Sequence, residues 1–164
     1  MKEPQIHPFP PVYDQNAEML ILGTFPSVKS RENAFYYGHP QNRFWKLLAR
    51  LYGEKTPDTI EEKTAFLLIH RIALWDVIRH CEIEGSADQS IAKAAANDIP
   101  ALLKQTQIRN IYCNGKKAYE LYQKFFKDTV EIHAFCLPST SPANAAWTME
   151  KLIPAWEIIR TNPS

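Results

Sequence analysis

The 164-residue sequence lacks an excess of charge of either sign. Nineteen Lys and Arg residues are set against eighteen Asp and Glu residues, which leaves a formal net charge of +1. A chain with this balance is attracted to polyanions only weakly as a whole, so contact with nucleic acid requires a local cluster of cations or backbone amides. The length fits one domain with its own hydrophobic core, and we expect residues 1–164 to form that single domain.

Patterns that bind metal are also missing. The three cysteines are more than twenty positions apart, so they form no CxxC pair, and three thiolates are too few to hold an iron–sulfur cluster. The five histidines form no HExxH or comparable pair. The sequence therefore predicts no metal and no other cofactor.

Long apolar runs are absent as well. No stretch approaches the roughly 20 apolar residues of a membrane helix, and residues 1–14 contain no apolar signal-peptide core. We therefore expect a cytoplasmic protein that has no contact with membranes. Residues 23–27 lack both the GxGxxG spacing and the Lys and Ser/Thr of a P-loop, which argues against binding of nucleoside triphosphates.

Short apolar runs and helical spacings alternate along the chain. The runs predict four buried strands, at residues 19–22, 72–78, 108–113 and 130–135. Apolar residues at helical spacing predict helices that begin near Asn42, Ala118 and Met149. The alternation predicts an α/β fold, with three α/β/α layers around a central four-stranded, mostly parallel sheet.

Prolines mark the limits of several other segments. Four of the twelve prolines lie in residues 1–17, which predicts an extended N-terminal arm on the surface. Pro100 indicates that residues 91–106 form two short helices, and Pro154 should kink the last helix. All three segments are expected outside the central sheet.

The loops that leave the carboxyl ends of parallel strands gather at one edge of a sheet and form a binding crevice. Here those loops are residues 23–42, the segment after Asp76, residues 114–117 and residues 137–144. The most specific segment is residues 36–45, YYGHPQNRFW. It brings stacking surface, a carboxamide and the amide donors of a helix start together.

Three strings carry a family resemblance. HPQNRFW with YYG before it, LILGTFPS upstream and LPSTSPANA near the end resemble motifs of the uracil-DNA glycosylase superfamily, and are most similar to its hypoxanthine-DNA glycosylase branch. The predicted strands and loops follow in the superfamily's order. The resemblance implies a single α/β/α domain that acts on DNA as a monomer, needs no metal and removes a deaminated base, with hypoxanthine preferred and uracil second.

An enzyme of this class must flip the base out of the duplex before it can hydrolyse the N-glycosidic bond. No lysine stands at the catalytic position to form a Schiff base with the sugar. We therefore expect a monofunctional glycosylase that starts base excision repair and leaves the DNA strand unbroken.

The resemblance also assigns the catalytic side chain. Many relatives carry Asp or Asn where this chain has Phe25, and His or Asn where it has Leu137. The hypoxanthine branch implies that Asn42 takes the catalytic role, and we expect its side-chain carbonyl to orient water toward the sugar. Phe25 and Tyr37 are expected to stack on the flipped base, although Phe25 fits a core aromatic equally well.

Two further side chains are candidates for binding the base. Asp76 can accept a hydrogen bond from a base N–H, or it can simply cap a turn. His39 can protonate a departing purine, or it can be a structural histidine. The sequence leaves both alternatives open.

The hydroxyl-rich string near the end resembles the superfamily's DNA-binding motif. Ser139, Thr140 and Ser141 should hold the DNA backbone, and Arg43 and Lys116 should supply positive charge. Taken alone, a Ser/Thr loop indicates only a helix cap, and a lysine indicates only a solvated surface.

Two other classes of function stay open. The missing Asp or Asn and His of the usual motifs favour a module that binds damaged or single-stranded DNA without hydrolysis. The third class is a different α/β hydrolase that acts on nucleosides. That class has little support, because the chain has no GxSxG or Ser-His-Asp pattern.

Overall fold

Seven strands and seven helices make up the part of the chain that this computed structural model describes, residues 2–161. The strands are β1 (Glu3–Ile6), β2 (Met19–Gly23), β3 (Ile72–Asp76), β4 (Ile78–Ile83), β5 (Ala92–Ala96), β6 (Asn110–Asn114) and β7 (Ala134–Leu137). The helices are α1 (Val28–Asn33), α2 (Phe44–Tyr52), α3 (Ile60–Ile69), α4 (Ile99–Lys104), α5 (Lys116–Phe126), α6 (Met149–Trp156) and α7 (Ile158–Thr161).

Four of the strands form a parallel sheet in the order β3-β2-β6-β7. The register pairs the last residue of β2, Gly23, with the last residue of β3, Asp76. Likewise Asn114 at the end of β6 pairs with Leu137 at the end of β7. The four carboxyl ends therefore lie at one edge, and the predicted α/β fold with a central four-stranded parallel sheet is confirmed.

Each face of this sheet carries its own hydrophobic core. Ile21 packs into the core that includes α2, α3 and α6, whereas Leu20 and Leu22 pack into the core that includes α4 and α5. All three side chains are fully buried, because successive residues of a strand point to opposite faces and both faces are covered. This double burial explains why β2 is apolar along its whole length.

Helix α2 places Asn42 at the edge of the sheet. The helix begins at Phe44, whose backbone N–H donates to the Asn42 side-chain oxygen at 3.0 Å. It ends at Gly53, which adopts the left-handed conformation with φ of 65°. The predicted helix start and stop are both observed, and the first turn fixes the Asn42 side chain.

A second, antiparallel sheet of order β1-β4-β5 was not predicted. The strand predicted at residues 72–78 is too long, because β3 stops at Asp76 and the chain bends into β4. At this bend the buried Asn97 side chain donates hydrogen bonds to the backbone oxygens of Asp76 (2.8 Å) and Ile78 (3.2 Å). Asn97 therefore joins the two sheets.

Residues 91–106, predicted as two short helices, instead form β5 and α4. The sequence of β5, AKAAA, has high intrinsic helix propensity. Its pairing with β4, irregular and with Lys93 at φ of 51°, overrides that propensity. Pro100 lies in the first turn of α4 after the capping residue Asp98, where a proline breaks no helical hydrogen bond.

The N-terminal arm is extended, but it belongs to the fold instead of lying on the surface. Strand β1 pairs with β4, and Val12 forms a bridge with Leu74 of β3. Phe9 and Val12 are buried in the core. The predicted surface position is therefore corrected, because these apolar side chains gain more from burial beside β3 than from solvent contact.

The last predicted helix is divided into α6 and α7. Helix α6 continues through Pro154 to Trp156, so the break comes at Glu157 and not at the proline. Trp156 is fully buried, and its indole N–H donates to the Pro138 carbonyl at 2.9 Å. Within residues 2–161, no helix combines the length and the apolar character needed to cross a membrane.

We expect Asn97→Ala to lower the free energy of unfolding by about 1–3 kcal/mol, because two buried carbonyls lose their donor. Urea unfolding monitored by tryptophan fluorescence measures the change. Asn16→Ala is the matched control, since this asparagine is exposed. Equal midpoints for the two variants would contradict the role given to Asn97.

Candidate active site

A cavity of about 300 Å³ opens at the carboxyl edge of the parallel sheet. Its volume is at the lower end of the range for small-molecule sites, roughly 300–1,000 Å³. The loops predicted to form the crevice do form its walls. Of the predicted site residues, the walls include Phe25, Tyr37, His39, Asn42, Asp76, Ser139, Thr140 and Ser141.

Gly23 allows two of these side chains to converge over the end of β2. A Cβ atom at this position would lie 2.4 Å from the Asp76 Oδ1 atom and 2.8 Å from the Tyr37 hydroxyl oxygen. Both distances are shorter than any real contact, so a side chain here would displace the two groups. The absence of a side chain at residue 23 is therefore a requirement of the site.

The Asn42 carboxamide is held in one orientation by two donors. Its Oδ1 atom accepts from the Phe44 backbone N–H at 3.0 Å and from the Thr140 hydroxyl at 2.9 Å. Because a backbone N–H can only donate, the atom that faces Phe44 must be the oxygen. Thr140 in turn accepts from the Asn114 side chain at 3.0 Å, and its backbone N–H donates back to Asn114 Oδ1 at 3.0 Å.

This network changes what Asn42 can offer to a substrate. Two donors already occupy its carbonyl oxygen, which was expected to orient water. Among the residues described, none forms a hydrogen bond with the Asn42 Nδ2 group, and the side chain is half-buried at the cavity wall. The amide N–H atoms are therefore the groups that Asn42 can direct at a bound molecule.

Thr140 lies inside this network and not on the surface. It is fully buried between Asn42 and Asn114. In this conformation its hydroxyl orients Asn42, and the predicted contact between Thr140 and DNA stays a prediction. The sequence predicts that the loop of residues 114–117 lies at the crevice, but it does not indicate that Asn114 itself is a site residue.

The two predicted stacking residues have different surroundings. Tyr37 has a left-handed backbone with φ of 54° and stacks on Phe44, with 4.1 Å between the ring centroids. Only the other face of Tyr37 is left for a base. Burial, reinforced by the negative charge of Asp76, raises the pKa of Tyr37 well above its ordinary value, so the phenol stays neutral.

Phe25 is both a core residue and a wall of the cavity. Its side chain is buried in the core that includes α4 and α5. The Arg31 guanidinium lies over its ring, 5.7 Å from the centroid. The two roles that the sequence left open for Phe25 are thus compatible.

Asp76 is paired with His7, a residue that the sequence analysis did not select. The His7 Nε2 atom lies 2.8 Å from Asp76 Oδ2, and the two side chains are only 3% and 5% exposed. The other ring nitrogen, Nδ1, lies 2.8 Å from the Phe9 carbonyl oxygen. No motif points to His7, because its partner is 69 positions away in the sequence.

His39 has its Nδ1 atom 3.0 Å from the Gln41 backbone N–H, which donates to it. The proton of the neutral ring therefore lies on Nε2. The His39 carbonyl also accepts from the Asn42 backbone N–H at 2.9 Å. His39 thus helps to fix the turn before α2 and keeps one N–H donor for a ligand.

Arg43 binds the loop after β7 through several hydrogen bonds. Its side chain donates to four backbone carbonyls of this loop, those of Thr140 (3.4 Å), Ser141 (2.9 Å), Asn144 (3.2 Å) and Trp147. Its backbone N–H donates to the Thr140 carbonyl as well, at 3.1 Å. The guanidinium is therefore engaged within the protein, and its predicted contact with DNA stays a prediction.

The other predicted DNA-binding residues lie on the rim or outside the cavity. The Ser139 hydroxyl accepts from the Ser141 N–H, and the Ser141 hydroxyl accepts from the Ala143 N–H, each at 3.1 Å. These bonds give the loop its tight turns. Lys116 is exposed at the start of α5 and is not part of the cavity wall.

Asp88 is a wall residue that no sequence pattern indicated. It lies in a short helical turn between β4 and β5, so its position depends on the second sheet. Burial raises its pKa from 3.8 to about 6, and a hydrogen bond with Thr24 partly opposes this increase. Within the described chain, no group of three His, Cys, Asp or Glu side chains is placed to hold a metal ion.

The raised pKa of Asp88 should reduce stability as pH rises. Between pH 3.8 and about 6 the folded protein keeps this proton while the unfolded chain has lost it, so the free energy of unfolding falls as pH rises through that window. We expect the decrease in the free energy of unfolding between pH 4 and 7 to be smaller by about 1–2 kcal/mol in Asp88→Asn, as measured by urea unfolding. The exposed Asp128→Asn is the control. An unchanged pH profile in Asp88→Asn contradicts the assignment.

Comparison with known proteins gives a consistent result. The family model of the uracil DNA glycosylase superfamily matches residues 10–160. The chain is 39% identical over 145 residues to the hypoxanthine DNA glycosylase of Methanosarcina acetivorans, a match that covers 87% of this chain and 90% of the relative. It is 37% identical over 114 residues to the hypoxanthine DNA glycosylase of Methanosarcina barkeri, covering 68% of this chain and 72% of the relative.

A solved structure has the same fold. The solution NMR structure of a candidate uracil DNA glycosylase from Methanosarcina acetivorans superposes with a TM-score of 0.77 and 34% sequence identity, and the match covers 93% of this chain and 96% of that chain. The resemblance found in the three motifs is confirmed by these matches. The chain belongs to the uracil DNA glycosylase superfamily.

Proposed function

We propose that the protein is a monofunctional DNA glycosylase that removes a deaminated base, with hypoxanthine preferred and uracil second, and so starts base excision repair. One observation carries the proposal: two fixed polar groups, the Asn42 carboxamide and the Asp76 carboxyl group, lie on the wall of the same cavity at the sheet edge. The two Methanosarcina relatives, both hypoxanthine DNA glycosylases, support the same class.

The base-reading step uses the oxygen of Asp76 that His7 does not occupy. Hypoxanthine presents N1–H beside the C6 carbonyl, and uracil presents N3–H beside the C4 carbonyl. An acceptor oxygen binds such an N–H, whereas it faces the lone pair of adenine N1 or cytosine N3 without a proton between them. Asp76 therefore favours the deaminated bases over adenine and cytosine.

The hydrolytic step breaks the bond between C1′ of the sugar and N9 of hypoxanthine. The oxygen of water bonds to C1′, one water proton is released to solvent, and the base leaves with the bonding electron pair and takes up a proton. In our proposal the Asn42 Nδ2–H holds the water through one lone pair, while the other lone pair faces C1′. Asn42 keeps its predicted role, but acts through its amide N–H instead of its carbonyl.

The departing base carries the negative charge that develops. The His39 Nε2–H and the backbone amides near Phe25 are the proposed donors to it. The exposed face of Tyr37 stacks on the flipped ring. Stacking recovers roughly 1–3 kcal/mol per base, which offsets part of the cost of extrusion.

Contact with DNA is proposed for the rim of the cavity. The rim consists of Ser139 and Ser141, with Thr140 buried between them and Arg43 supporting the loop, while Lys116 adds charge beside it. A rim with its backbone fixed by Arg43 can present hydroxyls and amides to the phosphates without reorganising. The family resemblance supports a monomer that needs no metal, and we place it in the cytoplasm as the sequence pattern predicts.

We expect the protein to release hypoxanthine from a duplex that contains one deoxyinosine, and alkali should then cleave that strand at the lesion. Intact DNA with inosine, uracil and xanthine substrates would contradict the proposal. Tight binding of the inosine duplex without an abasic product would instead favour the non-hydrolytic DNA-binding module.

In the same assay Asn42→Ala should lower the rate of excision by about 100-fold or more, because the water loses its positioning group. Its melting temperature should fall by only about 2–4 °C, since the loss of one acceptor costs about 1 kcal/mol. The neighbouring Gln41→Ala, which is exposed and outside the cavity, is the control. An excision rate equal to that of Gln41→Ala rules out the assigned role.

Binding of DNA at a net charge of +1 should depend on individual cations. We expect Lys116→Ala to weaken binding of the inosine duplex and to reduce the slope of log K against log salt by about 0.9, as for one lost phosphate contact. Lys127→Ala, at the opposite end of the same helix, is the matched control. Fluorescence anisotropy in a salt series measures both slopes, and equal slopes would place Lys116 away from the DNA.

A further inference from the structure

The N-terminal strand brings one titratable side chain, that of His7, against the wall residue Asp76. Strand β1 pairs with β4, and the His7 backbone N–H extends this pairing to the Arg79 carbonyl at 2.7 Å. The His7 ring then packs against three aromatic rings, Phe9 (4.8 Å), Phe25 (5.9 Å) and Tyr36 (5.9 Å between centroids). The ring is thus held on all sides by the fold.

The hydrogen bonds of this ring determine where its protons are. A backbone carbonyl can only accept, so the contact with Phe9 O at 2.8 Å requires a proton on Nδ1. The contact between Nε2 and Asp76 Oδ2, also 2.8 Å, requires one further proton between these two atoms. That proton belongs to an imidazolium or to a carboxylic acid, and in both cases it lies on the Oδ2 side of Asp76.

The consequence concerns the other carboxyl oxygen. Asp76 Oδ1 lies over Gly23, beside the Tyr37 hydroxyl, on the cavity wall. Because the shared proton is kept between His7 Nε2 and Asp76 Oδ2, Oδ1 has no proton of its own and can only accept. A carboxyl group without this partner could place its proton on Oδ1 and donate to the lone pair of adenine N1.

The surroundings of His7 leave no competing partner. The Tyr36 hydroxyl, which belongs to one of the rings packed against His7, donates to the Pro10 carbonyl at 2.9 Å. Among the described residues, Asp76 is the only ionisable group within hydrogen-bonding distance of the ring. The arrangement therefore links His7 to the carboxyl group and to nothing else that titrates.

We propose that His7 is a positioning residue for base specificity: it keeps Asp76 Oδ1 as an obligatory acceptor, so the N-terminal strand sets the preference for bases that carry a ring N–H. The inference rests on the proposed function, because it takes the bound group to be a flipped base. It assigns a role in recognition to a segment that no catalytic motif includes.

The test compares His7→Leu with His7→Gln. Leucine removes the donor to Asp76, whereas the Nε2–H of glutamine can still donate to Oδ2. We measure the affinity for single-stranded oligonucleotides with one deoxyinosine and with one deoxyadenosine by anisotropy, together with KM and kcat for hypoxanthine release. His80→Gln on the adjacent strand β4 is the control for damage to the small sheet.

We expect His7→Leu to lower the preference for inosine over adenosine by about tenfold and to act mainly on KM. His7→Gln should keep the preference within about threefold of the unchanged protein, and His80→Gln should not change it. In an Asp76→Asn background, His7→Leu should have no further effect on the preference, because the two residues act as one unit.

Three results would overturn the inference. The first is an unchanged preference in a folded His7→Leu protein, with folding checked by its melting curve. The second is an equal loss of preference in His7→Leu and His7→Gln, and the third is an additive loss in the Asp76→Asn background. The binding ratio is measured in an Asn42→Ala background, in which hypoxanthine is not released on the time scale of the measurement, so failure of the protein with Asn42 to release hypoxanthine counts against the proposed function and not against the role of His7.

Discussion

The polar side chains buried at the ends of the central strands determine how the rest of the chain must fold around them. Asp76 ends β3 and Asn114 ends β6, and both are almost completely buried. A buried polar group without a partner costs several kcal/mol, so each needs a partner from a distant segment. Asp76 is satisfied by His7, 69 positions away, and Asn114 by Thr140, 26 positions away. The N-terminal arm and the loop after β7 are thereby brought to the sheet edge.

Related contacts connect the loop proposed to hold DNA with the residue proposed to position water. Thr140 belongs to the loop after β7, and its hydroxyl donates to the Asn42 side chain. Arg43, the next residue after Asn42, holds that loop through its backbone carbonyls. A change in the rim therefore reaches the Asn42 carboxamide through one hydrogen bond. The residues proposed to contact DNA and the residue proposed to position water are therefore parts of one hydrogen-bond network.

The sequence predicted the elements whose signals are local. The apolar run of β2, the helical stripe of α2 and the motif strings are all contained in short windows, and they lead to the central sheet and to most of the cavity wall. The second sheet could not be predicted in this way, because β5 is alanine-rich and becomes a strand only through pairing with β4. His7 and Asp88 were missed for the same reason. Neither lies in a motif, and the second sheet positions both: Asp88 lies on the cavity wall, and His7 contacts the wall residue Asp76.

The rigidity of the loop after β7 affects how the protein can meet DNA. A single guanidinium, that of Arg43, ties together carbonyls spread over eight residues, from Thr140 to Trp147. A loop cross-linked in this way has little conformational entropy left to lose when it meets a nucleic acid. In the proposed encounter the adjustment would then come from the duplex, because the conformation of the loop is already fixed when the chain has folded.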